Sequence, residues 1–212
     1  MKKNILIVGA SRCGKTSLAR KLHQECGYSV ISIDDIISGL EAYPELKICH
    51  NGDRDLTAKN LAPFLEKYFI ELSEGPNFYG GVKSAIEGSY VDFESLMPFL
   101  QSEKYKRKYE IIGLTINDET PEELYQNIKS HDTEDDWTYW LTDEDLMKEA
   151  NGIVIKNQFF REKFEKYHIK SYDTSHDRDT VLEKIIMELR ERGVVGKRQD
   201  SCLAASDAKP SF

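Results

Sequence analysis

The stretch "NILIVGASRCGKTSLARKL", which begins at Asn4, constrains this chain more than any other. An apolar run rich in β-forming residues leads into a loop with glycine at both ends, Gly9 and Gly14, and Lys15 and Thr16 then open a run of good helix formers. Buried strand, turn and helix in that order are the first unit of a parallel α/β sheet. Within the stretch, "GASRCGKT" satisfies GxxxxGK[ST], and a strand before it with a helix after it is the context that gives the motif meaning. The physical demand is a string of backbone N–H groups aimed at one anion. Glycine lets the main chain approach closely, and the N-terminus of the next helix adds the positive end of its dipole. The cradle spans Gly9, Ala10, Ser11, Arg12, Cys13, Gly14, Lys15, Thr16 and Ser17, with Lys15 reaching the β- and γ-phosphates and the Thr16 hydroxyl holding Mg²⁺. ATP and Mg²⁺ are therefore the expected cofactors. Cys13 is read as a small filler rather than a reactive thiol, because the motif leaves its position open.

With 212 residues, 40% of them hydrophobic, the chain can bury one sizeable core, and one domain or one domain with a small insert is expected. A net charge of −8 with no block of Lys and Arg argues against generic binding to nucleic acid or to an anionic membrane. Cys13, Cys26, Cys49 and Cys202 show neither CxxC spacing nor a histidine at zinc-ligand spacing, so free thiols in a reducing compartment are expected. The start "MKKNILIVGAS" has a basic beginning, but its apolar run is too short for a signal peptide and passes straight into the glycine loop. No run approaches the roughly 20 apolar residues of a membrane-spanning helix. The expectation is a soluble, cytoplasmic protein.

Strand-like runs recur at 4–8, 29–33, 83–87, 109–116 and 168–172. Helical patterns lie between them at 15–26, 57–74, 92–103, 121–130, 143–150, 157–167 and 178–192. Thr57, Asp92 and Thr120 stand where N-caps belong, and Pro121 suits a first helical turn. Two segments break the alternation: a polar excursion over 40–56, and the acidic 131–145 with two tryptophans. The end of the chain lacks periodicity and is rich in small and polar residues, so a flexible tail is expected over 194–212.

With "GASRCGKT" near the N-terminus, a second strand ending "SIDD", a third ending "AIEG" and the closing "SYDTSHDRDTVLEKI", the chain resembles the P-loop kinases of the adenylate and shikimate kinase type over about residues 4–192. The resemblance implies an α/β fold, the three-layer α/β/α sandwich of P-loop NTPases with a central five-stranded parallel sheet and a helical lid. It implies one kinase domain over 1–193, an acceptor-binding insert at about 40–80 and the lid at about 131–152.

"SVISIDDII" looks particularly like the chloramphenicol phosphotransferase pattern, and by that match Asp34 takes the position of the base. A carboxylate there would orient an alcohol and accept its proton while Lys15 and the metal handle phosphate charge. The alternative is an N-cap for 35–40, with Asp35 a cap or a surface residue. Glu87 at the end of the third strand is either the carboxylate facing metal-bound water or a hydrogen-bond partner of a neighbouring loop, so Thr16 and Glu87 are the metal candidates.

Kinases that act on phosphates resemble one another in placing arginines after the second and third strands and in the lid. "DDIISGL" and "EGSYVDF" hold none and the lid is acidic, which favours a hydroxyl of a small molecule as acceptor. The alternatives are a nucleoside or nucleotide kinase and, in another class, a non-catalytic ATP-binding switch. A lid closes over reacting groups to exclude water. Its missing cation is expected from Arg161 first, then from Arg12 and Lys156. Trp137, Tyr139 and Trp140 either pack on an acceptor or form the core of a small helical hairpin, the second being favoured. "YDTSHDRD", Tyr172 to Asp179, stands where such kinases hold the adenine, and is equally an ordinary turn and helix cap.

Overall fold

The computed structural model describes residues 2–75, 82–117, 119–134 and 136–196. Five strands, β1 (Asn4–Gly9), β2 (Ser29–Ser32), β3 (Ser84–Gly88), β4 (Tyr109–Thr115) and β5 (Ser171–Asp173), form one parallel sheet in the order β2-β3-β1-β4-β5. Every residue of β1 and β3 is buried, as continuous apolar runs require in strands covered on both faces. The helices are α1 (Lys15–Cys26), α2 (Ile33–Leu40), α3 (Arg54–Glu74), α4 (Phe93–Leu100), α5 (Pro121–His131), α6 (Asp143–Lys166) and α7 (Arg178–Glu191). The expected three-layer α/β/α sandwich is the architecture found. No helix among the described residues is long and apolar enough to cross a membrane.

Register places the site. β1 lies between β3 and β4, pairing Ile7 with Glu87, Val8 with Gly88 and Gly9 with Leu114. β2 pairs Ser32 with Glu87, so the chain leaving β2 emerges beside the same carboxylate. The loop after β1 is thereby set at the carboxyl ends of the strands, at the point where the strand order reverses, where open α/β sheets bind ligands.

Several boundaries differ from the periodicity. The stretch after β2 is helical from Ile33, with Ser32 rather than an aspartate as N-cap: its hydroxyl accepts from the Asp35 N–H at 3.3 Å. α3 starts before Thr57, because the Asp53 carboxylate caps it by accepting from Asp55 and Leu56 N–H groups. Thr57 is buried inside that helix and donates to the Cys49 carbonyl at 3.1 Å. Within the 40–80 stretch expected as an insert, α3 places Leu61, Leu65 and Phe69 fully in the core, and 76–80 lie outside the described residues. The two helices expected at 143–150 and 157–167 are one. Leu146, Ala150, Ile153, Asn157, Phe160 and Phe164 make one continuous buried stripe across the gap between them. Val194 and Val195 are buried and the Val194 carbonyl accepts from Lys3 N–H and Tyr28 hydroxyl, so the chain stays packed past the expected start of the tail. Residues 197–212 lie outside the described residues.

Thr120 does cap α5 as its sequence indicates, in a reciprocal box with Glu123. Thr120→Ala should lower the free energy of unfolding by about 1 kcal/mol in urea titrations.

Candidate active site

Gly9 permits the turn out of β1: a Cβ there would meet the Leu114 carbonyl oxygen and, at 2.7 Å, the Cys13 sulfur. Gly14 closes the loop at φ +88, a conformation that other residues adopt only with strain. Behind the loop Cys13 is fully buried, its thiol donating to the Ala10 carbonyl at 3.0 Å, and burial pushes that thiol above its ordinary range. The filler reading of Cys13 therefore fits its surroundings. The Thr174 hydroxyl, also buried, lies 3.0 Å from both the Cys13 and Thr115 carbonyls, and Arg178 donates to the Arg12 carbonyl at 2.9 Å. The turn after β5 thus braces the loop from behind and from the side.

In front of the loop lies a cavity of about 480 Å³. Ser11, Arg12, Gly14, Lys15, Thr16 and Ser17 form its floor, whereas Gly9, Ala10 and Cys13 stand behind and do not line it. Asp34 and Glu87 form one wall; Leu124, Asn127, Ile128 and His131 of α5, with Asp132, Asp136 and Trp137 of the segment after it, form the other. Arg20 and Arg178 complete it. Lys15 is nearly buried, and its ammonium donates to the Ala10 carbonyl at 2.7 Å.

Asp34 faces the cavity from the first turn of α2 instead of a strand end, while Asp35 is exposed. One Asp34 carboxylate oxygen is buried without a hydrogen-bond partner. Glu87 is buried and accepts from the Thr16 hydroxyl at 3.2 Å. Burial raises its pKa, Asp34 adds to the rise, and Lys15 opposes it. An orphaned carboxylate oxygen, a buried carboxylate and a hydroxyl in one corner are hard oxygen donors of the kind Mg²⁺ takes. Among the described residues no three His, Cys, Asp or Glu side chains form a closed metal cage.

A carboxyl harder to ionise in the folded protein than in the unfolded chain favours folding while protonated. That contribution is lost as pH rises through the raised pKa. Glu87→Gln should therefore melt higher than wild type at about pH 8, with the gap closing as pH falls toward about 4. Thermal melts across that range check the sign.

Arg161 is not part of this site. It is exposed on α6 and lines a separate groove with Asn117, His168 and Ser171. The catalytic role expected for it is withdrawn. Lys156 does not line the cavity either. Arg54 is likewise elsewhere, donating to the Ser89 carbonyl and stacking over Phe159 and Phe160 at 4.9 and 5.1 Å. The cations that do line the cavity besides Lys15 are Arg12, Arg20 and Arg178. Arg20 and Arg178 were missed, although Arg178 lies in the "YDTSHDRD" segment already placed near the nucleotide. The lid aromatics are not a hairpin core: Trp137, Tyr139 and Trp140 are exposed by 54%, 47% and 71%, and only Thr138 of their short turn is buried.

The strand order of the parallel sheet and the strand–GxxxxGKT–helix unit give this chain the fold of the P-loop small-molecule kinases. No protein-family model matches the chain, and no curated protein matches it. Among solved structures it is similar to a gluconokinase from Sinorhizobium meliloti 1021, at 13% identity over 90% of this chain and 93% of that one, with a TM-score of 0.52. A shikimate kinase from Acinetobacter baumannii in complex with shikimate matches at 15% identity over 91% and 95% of the two chains, TM-score 0.47. The YorR protein from Bacillus subtilis, in complex with phosphorylated GDP, matches at 16% over 89% and 98%, TM-score 0.45.

Proposed function

We propose that this protein is an ATP-dependent phosphotransferase that moves the γ-phosphoryl group to a hydroxyl of a small molecule. The observation that carries the reading is the shared cavity: Lys15 on its floor and the unpartnered Asp34 carboxylate oxygen on its wall. Loop N–H groups and Lys15 bind and orient the phosphates. Asp34 orients the acceptor hydroxyl and takes its proton as the new bond forms. Thr16 and Glu87 would hold Mg²⁺, which when bound supplies neutralising charge to the phosphates.

Neither Arg54, which donates to the Ser89 carbonyl, nor Arg161 lines the cavity, and this supports a hydroxyl acceptor; the arginines that do line it are Arg12, Arg20 and Arg178. A cytoplasmic setting is part of the proposal, since Cys13, Cys26 and Cys49 are unbridged thiols. We include no nucleic-acid or membrane partner, in keeping with the net charge of −8. The test is transfer of radiolabelled γ-phosphate from Mg·ATP to a panel of sugars, amino-alcohols, nucleosides and nucleotides. Labelling of a hydroxyl compound is expected. Labelling of nucleoside monophosphates alone would replace this reading with a nucleotide kinase, and nucleotide binding without transfer would replace it with a switch.

A further inference from the structure

Arg12 occupies the middle of the phosphate loop at φ 67, a left-handed conformation that is costly for a residue with a side chain. Its guanidinium does not spread over the cavity floor. It turns to the lid and pairs with Asp132 and, at 2.8 Å, with Asp136. The Arg12 side chain is 20% exposed and that of Asp132 only 4%, so solvent screens the contact weakly. The Thr133 N–H and hydroxyl each donate to Asp136 at 3.1 Å, and these bonds together with Arg12 hold its carboxyl below the usual carboxylate range. Asp132 in turn accepts from the buried Thr138 hydroxyl, which ties the pair into the short turn carrying Trp137 and Trp140.

Arg12, Asp132 and Asp136 line the same cavity as Lys15. A triphosphate seated on the loop meets two carboxylates and a guanidinium those carboxylates already hold. One guanidinium cannot serve both sets of oxygens at full strength, and the like charges of phosphate and lid repel at short range.

We propose that Arg12 is a phosphate ligand held in reserve by the lid, and that nucleotide phosphates compete with Asp132 and Asp136 for it. Binding of a triphosphate transfers Arg12 to the phosphates and frees the lid turn. The inference rests on the nucleotide reading above. The coupling is reciprocal: whatever the lid contact costs the nucleotide, the nucleotide costs the lid contact.

Calorimetric titration with Mg·AMP-PNP tests the competition. Asp136→Asn keeps an oxygen for the Thr133 bonds and removes the charge, and it should bind AMP-PNP about fivefold or more tightly than wild type. Arg12→Gln should bind it more weakly, and adding Asp136→Asn to Arg12→Gln should bring no gain. Equal or weaker binding by Asp136→Asn, or the same gain with and without Arg12, overturns the proposal.

A second measurement stands without nucleotide. Trp137 and Trp140 are the chain's two tryptophans, so acrylamide quenching of their emission reports the lid turn. Arg12→Gln should raise quenching in nucleotide-free protein, and unchanged quenching overturns the latch. Should neither wild type nor the variants bind AMP-PNP, the nucleotide reading fails, and the contact between Arg12 and the lid is then decided by quenching alone.

Discussion

Lys15→Ala is expected to lower γ-phosphoryl transfer by about 10³-fold, the scale on which a positioned charge stabilises a transferring phosphoryl group. The fold should survive. The Lys15 ammonium donates to the Ala10 carbonyl at 2.7 Å, but that oxygen also accepts from the Cys13 thiol, so alanine leaves no buried carbonyl without a partner. Lys15 lines the cavity, while the fully buried core of β1 and α1 is Ile5, Leu6, Ile7, Val8, Leu18, Ala19 and Leu22. Single-turnover transfer and a thermal melt on the same preparation separate the two effects. A variant that transfers within about tenfold of wild type would move the phosphate-binding cation to Arg12, Arg20 or Arg178.

Asp34→Asn separates the enzyme readings. With a hydroxyl acceptor, loss of the carboxylate removes both the orienting contact and the proton acceptor, and kcat should fall roughly 10²–10⁴-fold with little change in nucleotide affinity. An acceptor phosphate is already ionised at neutral pH and needs no base, so the loss would then appear as a higher KM. Asparagine keeps the shape of the side chain and an oxygen for its buried position, which limits any effect on folding. A kcat within about threefold of wild type would leave Glu87 as the remaining carboxylate on that wall, since Asp35 is exposed.

The phosphate loop was legible in the sequence because everything it needs is local: two glycines, a lysine and a hydroxyl between one strand and one helix. Glu87 was legible for a related reason, since a carboxylate ending a buried strand beside β1 has few places to go. Asp34 was read as the end of a strand, and it lines the cavity from the first turn of α2 instead. "SVISIDDII" is apolar enough to continue as a strand, and only the Ser32 cap shows where the helix begins. Arg161 was expected from a helix following the lid, whereas it lies on the single long α6, on a face that lines a different groove. Arg178 was hidden by distance: its partner, the Arg12 carbonyl, lies on the opposite side of the fold's chain order, and no local pattern announces the contact.

The unbroken α6 has one more consequence. Near its C-terminus Lys163 and Lys166 pair with Glu94, and the helix packs against α5. We expect movement over the cavity in the link between His131 and Asp143, a small gate between α5 and α6. The described backbone amides of that link should exchange with deuterium ahead of those in α5 and α6, because its contacts to the rest of the fold run mainly through the Arg12 pair and the buried Thr138. A turnover cycle limited by such a gate would be set by the release of a few side-chain contacts and would leave the helical layer at rest.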